Sequence, residues 1–435
     1  MTIKTRRILL AIAVLTFMAA GFVLLMYARG YRWDFENNEF LLSGAIYIKP
    51  VYPDETEISL NGKMVNKNGN ALIKNLLPSR KYKISAAKEG YQTWEKEFEI
   101  TPGLVASAQN IVLFPKKINS QIVWPETASL SDFSVSFNQK LIAVRIGQSK
   151  VIVRGLAEPN ATATPIAFAD KRKTLGLTFL KNNQGWSPNS QKFIFARDIA
   201  GKKLWYIWNN ENKTLTDLNN LYERKIVLKQ PSASPLPTKF SPAKITWFGN
   251  SNNLVLLIDG RLFRLDIAGE SVTDFKLSDV ANFDVFENKI VVLKNPDILM
   301  LIDSAVENIS VLGPAKIVPK NILISPDGSK IAYSDSGSVG IFWLTDTNKQ
   351  PLKKTGDQEL IYQSLGNISH IYWHNSNEYL IFLENKNLKT VELDTRDKTN
   401  IASWSEPILA MDYLAQDSKL YILENSAVKV MEDKF

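Results

Sequence analysis

Hydrophobic residues are spaced along this chain in three different rhythms. The first is unbroken: "ILLAIAVLTFMAAGFVLLMY", Ile8 to Tyr27, is twenty residues without a charge. A helix of that length spans about 30 Å, the hydrocarbon thickness of a bilayer. The second rhythm has period two and runs from Ser43 to Pro115. In "KYKISA", Tyr82, Ile84 and Ala86 alternate with Lys81, Lys83 and Ser85, and Phe98 and Ile100 in "EKEFEI" repeat the pattern. Such alternation predicts half-buried strands. Asn61-Gly62 follows "EISL" and suits a type I′ hairpin turn, where both central residues need positive φ. About six short strands in this stretch predict a compact sandwich.

The third rhythm is a phrase that returns. "WSPNSQKFIFARDIAGKKLWYIW" (Trp186–Trp208) and "ISPDGSKIAYSDSGSVGIFWL" (Ile324–Leu344) share a polar turn, an apolar strand, a second polar turn and a second strand. Pro presets φ in the first turn, Asp or Asn bonds the backbone, and Gly accepts the left-handed position. "FIF" is apolar on successive residues, so both faces of its strand must be covered. Weaker copies run over Phe133–Leu156, Ile245–Ile267, Phe283–Asp303, Ile371–Asp394 and Met411–Asp433, which makes seven. Repeats of about forty residues with four short strands each predict a β-propeller. The last copy stops soon after its second recognisable strand. "NSQIVW" (Asn119–Trp124) precedes the first copy and is the candidate for the missing outer strand, closing the ring with both chain ends. "AEPNATATPIAFADKRK" and "KQPSASPLPTKFSPAK" read as insertions.

Two resemblances follow from these motifs. "GAIYIKPVYPDETEISLNGK", "LIKNLLPSRKYKISAAKEGYQTWEKEFEI" and "NIVLFP" together resemble a PEGA domain, a small β-sandwich of bacterial and archaeal surface proteins. The matching positions are Pro53-Asp54-Glu55-Thr56, Asn61-Gly62, Leu76, Pro78 to Tyr82 and Gly90-Tyr91. The chain departs from the family at the eponymous turn and at Ser79-Arg80-Lys81, where the family carries a glycine. This resemblance implies an extracytoplasmic binding or spacer module without catalytic residues. "WSPNSQKFIF" and "ISPDGSKIAY" resemble TolB-type, WD40-like repeats, which implies a fold and leaves the chemistry open.

Charge changes the picture mainly through its position. Lys4, Arg6, Arg7, Arg29 and Arg32 flank the apolar segment and supply five of the net +8, leaving +3 for residues 33–435. The basic balance is therefore largely a topology signal, and no nucleic-acid partner is expected. The three N-terminal cations favour an inside N-terminus, and Tyr27, Tyr31 and Trp33 suit the interface. The rival reading is a signal peptide cleaved near Ala19-Ala20-Gly21, for which the apolar run is long. The absence of cysteine excludes disulfides, thiolate metal sites, cysteine nucleophiles and a lipoprotein anchor.

Catalytic motifs are not found. His370 and His374 in "HIYWH" are the chain's two histidines. On a strand, residues four apart lie about 13 Å from each other, too far to chelate one ion, so a structural or solvated role is expected. There is no nucleophile elbow, and a Ser-His-Asp triad would need one of these histidines. "SPDGS" superficially suggests a sialidase Asp-box without its spaced Gly and Trp. Calcium, phosphate and dinucleotide loops are also missing, so no metal or other cofactor is expected. Plentiful carboxylates leave a paired-carboxylate hydrolase open. Trp186, Trp205, Trp208, Trp247, Trp343 and Trp373 fall in or beside repeat strands, where packing between blades competes with an aromatic rim for sugars or peptides. "DKRK" (Asp170–Lys173) reads as a solvated loop tip, with a grip on an anionic wall polymer as the alternative.

The expected organisation is all-β after the N-terminal helix. It comprises a cytoplasmic tail (1–7), a transmembrane helix (8–27), a juxtamembrane linker (28–42), a PEGA-like sandwich (43–115) and a propeller of about seven blades (116–435). The expected function is non-catalytic: a single-pass, extracytoplasmic binding or scaffold protein of the cell envelope, recognising protein or cell-wall glycan through the propeller. The alternative is an envelope carbohydrate hydrolase or lyase with an axial pocket. Catalytic residues are expected to be none, and the sequence names no binding residues.

Overall fold

The computed structural model describes residues 2–78, 80–125, 129–157, 165–169, 172–180, 184–226, 236–304 and 308–431, with the side chains of 224–226 left aside. Most of the first insertion, including Asp170 and Lys171 of the "DKRK" run, lies outside the described residues, as do Ser79 and much of the second insertion. Two compact units emerge. One contains residues 1–114, 347–352 and 395–400, and the other contains 115–346, 353–394 and 401–435.

The first unit begins with the helix Ile3–Ala28, capped by Thr2, whose hydroxyl accepts the Thr5 N–H. None of its residues is buried, and it is long and apolar enough to cross a membrane. A helix apolar all round without a protein partner suits lipid. The stretch expected as a linker is structured: Tyr31–Asp34 pairs with Glu39–Leu42 in a hairpin. Arg32 donates to the Tyr27 and Tyr31 carbonyls, which ties the hairpin to the end of the helix.

Two sheets follow. One orders Ala71–Leu76, Gly44–Pro50 and Val105–Ile111, the last pair parallel; the other orders Lys63–Asn66, Glu57–Leu60, Lys81–Ala87 and Trp94–Glu99, all antiparallel. Asn61 (φ 48°) and Gly62 (φ 78°) make the expected left-handed turn between Glu57–Leu60 and Lys63–Asn66. Ile46, Ile48, Ile58, Ile84, Trp94 and Phe98 are among the residues that fill the core. Lys96 breaks the alternation rule: it is buried, and its ammonium donates to the carbonyls of Arg396 (3.0 Å) and Lys398 (2.7 Å) in this same unit. Those two acceptors compensate the burial of a charge.

The second unit is a β-propeller of seven successive antiparallel sheets among its described residues. Their first strands are Leu130–Val135, Gly176–Phe179, Lys244–Phe248, Val280–Phe286, Asn321–Ile324, Ile368–Trp373 and Ala410–Leu414. First strands touch in five of the seven neighbouring pairs, the first meeting the seventh among them, so these strands line the axis. Ser120–Trp124 pairs antiparallel with Ala427–Met431 and supplies the fourth strand of the last sheet. The segment before the first copy and the last strand of the seventh thus close the ring, as the sequence pattern implies.

The successive apolar residues of "FIF" go where two covered faces require. Ile194 and Ala196 belong to the core between the second and third sheets, while Phe193 and Phe195 belong to the core between the first and second. Burying each such phenylalanine contributes roughly 1.5–3 kcal/mol. The repeated turn also explains itself. Ser136, Ser187 and Ser325 each place a hydroxyl against the Asn or Asp two residues on (Asn138, Asn189, Asp327), and each accepts the N–H five residues on. The same turn reaches the next sheet: Asn138 N–H donates to the Ser190 hydroxyl, and Asn189 N–H to that of Ser251.

Candidate functional site: the axial cavity

The first strands end at one rim of the ring, where residues from all seven sheets enclose a cavity of about 600 Å³. Innermost strands create a particular difficulty, because their axis-facing edges have backbone groups without a strand partner, and buried ones must be satisfied. Aspartates solve it twice. Asp284 Oδ2 accepts the Ile324 N–H (2.9 Å) from the fifth sheet, and Asp412 Oδ2 accepts the Val135 N–H (2.8 Å) from the first. Each reaches the innermost strand of the following sheet. Asp284 Oδ1 also accepts from the Gln184 amide (2.7 Å), and the Tyr372 hydroxyl donates to the Met411 carbonyl and to Asp412.

Burial pushes the Asp284 carboxyl above its ordinary range, opposed by Lys244 and by the N–H groups of Ile324 and Val285. Lys244 is itself pushed down by burial, with Asp284 acting against the shift. Its ammonium donates to Asn282 Oδ1 and the Phe283 carbonyl. The pair forms a hydrogen-bonded support in which Asp284 itself reaches the cavity lining.

Aromatic residues form the rest of the wall. Trp186, Trp247 and Trp373 line the cavity yet are only 1%, 6% and 3% exposed. Trp247 Nε1 donates to the Gly185 carbonyl and Trp373 Nε1 to that of Leu323, both 3.2 Å and both on the preceding sheet. These indoles therefore pack between sheets and also face the axis. Trp205 and Trp343 belong wholly to inter-sheet cores, and Trp208 is half-buried against another. Phe137, Phe286 and Leu323 are half-buried, whereas Glu287, Pro326 and Gln416 are exposed at the mouth.

Neither histidine lines the cavity. His370 has φ 51° at a register break between Ser369 and Tyr372, which interrupts the regular strand expected there. His374 follows the strand, buried and stacked on Tyr413 at 6.0 Å, with Nδ1 2.8 Å from the Ser376 hydroxyl. It occupies the turn position held by Ser136, Ser187 and Ser325 in three other copies. Among the described residues, no group of three His, Asp or Glu side chains could hold a metal ion.

Sequence reasoning names the tryptophans but misses Gln184, Asp284, Glu287 and Gln416. The signal for Asp284 is present: "FDV" and "MDY" each put an acid inside an otherwise apolar first strand, at matching places in two copies.

No protein-family model and no curated protein matches the chain. Among solved structures it is similar to the β-propeller domain of Cps50 (Swd1) from Myceliophteria thermophila, with 11% identity and a TM-score of 0.48 over 72% of this chain and 99% of that one. It is also similar to PorZ, an essential bacterial surface component of the type-IX secretion system of Porphyromonas gingivalis, with 12% identity and a TM-score of 0.44. That match covers 72% of this chain and 38% of PorZ. The propeller assignment itself rests on strand order and ring closure.

Proposed function

We propose that this protein is a membrane-anchored, non-catalytic binding or scaffold protein of the cell envelope, and that its propeller recognises a partner in the axial cavity. The observation that carries the reading is the cavity itself. About 600 Å³ falls within the range of binding pockets, and rigid sheets from the whole ring hold its walls. Anchoring is supported by the apolar helix Ile3–Ala28, with the N-terminal cations favouring an inside N-terminus and the β-units outside. In this reading the sandwich is a PEGA-like spacer and the propeller is of the TolB type.

The hydrolase or lyase alternative needs carboxylates free to meet substrate. Asp284 is buried and its oxygens already accept from Gln184 and Ile324. That leaves Glu287 as the one exposed acid among the described lining residues, where paired-carboxylate chemistry needs two.

A plug tests the cavity directly. Gln416→Trp fills the mouth from an exposed position. Proteins that co-purify with the tagged, detergent-solubilised wild-type chain should be depleted from the variant. Identical partner sets from both would contradict the reading. The chain has no cysteine, so orientation can be read on a clean background. A membrane-impermeant maleimide should label Leu365→Cys in intact cells and Thr2→Cys only after permeabilisation.

A further inference from the structure

We infer that the axial cavity takes a peptide segment that inserts an apolar side chain and carries neutral or positive neighbours, and that it rejects acidic segments and glycans. This rests on the binding reading above and narrows its ligand.

Charge gives the first argument. Among the described lining residues, Asp284 and Glu287 are the acids, and there is no lysine, arginine or histidine. Glu287 is the exposed one of the two, so an incoming carboxylate or phosphate would meet a negative charge at the mouth and no cation in the lining. Like charges brought together at a binding site weaken affinity. An ammonium or guanidinium flanking the inserted residue would instead approach Glu287, which stands exposed at the mouth.

Aromatic exposure gives the second. A sugar ring needs an open aromatic face on which to stack. Here the three cavity tryptophans are nearly closed off by neighbouring sheets, and two of their indole N–H groups already bond backbone. The lining also includes the half-buried apolar side chains of Phe137, Phe286 and Leu323, with the amide of Gln416 exposed at the same cavity. An apolar hole with a polar rim fits a side chain below and a peptide backbone above.

The test uses the full chain in detergent micelles on an array of decapeptides with a central Leu or Phe flanked by Lys, Ser or Glu. Cell-wall oligosaccharides are spotted beside them, and the Gln416→Trp and Glu287→Arg variants are probed in parallel. Lys- and Ser-flanked peptides should bind, Glu-flanked ones about tenfold or more weakly, and Glu287→Arg should close or invert that gap. Binding to Lys- and Ser-flanked peptides should be lost in Gln416→Trp. Preferred binding of Glu-flanked peptides would overturn the inference. Oligosaccharide binding abolished by Gln416→Trp would also overturn it while keeping the cavity as a binding site. Binding of neither probe class would overturn the inference and the cavity reading together.

Discussion

Tyr333 is buried with its ring over Gly340, its partner across the strand pair. A Cβ at position 340 would lie 2.4 Å from that ring. The ring has little room to yield, because its hydroxyl donates to Gln358 Oε1 at 3.0 Å. Gly340→Ala should therefore destabilise by about 1–3 kcal/mol, the usual cost of overpacking, read as a lower urea midpoint. An unchanged midpoint would show that the ring moves freely. Asp284 makes a pH-dependent prediction. Its folded pKa is raised, so its stabilising contribution is complete below the ordinary carboxylate value of 3.8 and is lost as pH rises through the folded value. Asp284→Asn removes this charging cost along with an acceptor. Its deficit should be about 1–3 kcal/mol near pH 4 and smaller near pH 8. A deficit that grew with pH would mean that the native carboxylate is stabilised rather than strained by its surroundings. Gly340 was not legible as special in the sequence, because cross-strand register exists only after the sheet has formed. Asp284 left a trace in the paired "FDV" and "MDY", but its partners on the next sheet exist only after the ring has closed.

At the scale of elements, much more was legible. Alternation and "NG" located the sandwich strands, and the apolar "FIF" pattern required two covered faces. Ring closure by the segment before the first copy could be read because the final copy was visibly short of a strand. The hairpin at Tyr31–Asp34 and Glu39–Leu42 was missed: its strands have four residues each, too few to show a period. The left-handed bulge at His370 was missed for a different reason, since nothing in "SHIYW" announces a break in register. The closing strand makes its own prediction. Trp124 is buried in the core shared by the last and first sheets, with the Arg154 guanidinium 3.8 Å above its ring, while Ile122 on the same strand is exposed. Trp124→Ala should cost about 3–5 kcal/mol in chemical denaturation. Ile122→Ala should stay within about 0.5 kcal/mol. Equal effects would mean that the strand adds little to closure.

For the whole molecule, the fold follows from repetition, and the proposed site follows from what repetition leaves at the axis. Seven sheets that bury their faces against neighbours still leave one set of strand ends around a cavity, and its wall chemistry differs from copy to copy. That explains why the fold was readable from a repeated phrase and the site was not: the site is made of the positions at which the copies disagree. The central claim is that a partner is recognised at this cavity in the living envelope. The most direct measurement places a photoreactive amino acid at Gln416, on the cavity mouth, and in a second strain at Leu365, a fully exposed position outside the cavity lining. After irradiation of intact cells, crosslinked proteins are identified by mass spectrometry. One or a few recurrent proteins should be captured from Gln416 and not from Leu365. Capture from Leu365 alone, or the same proteins from both positions, would contradict it.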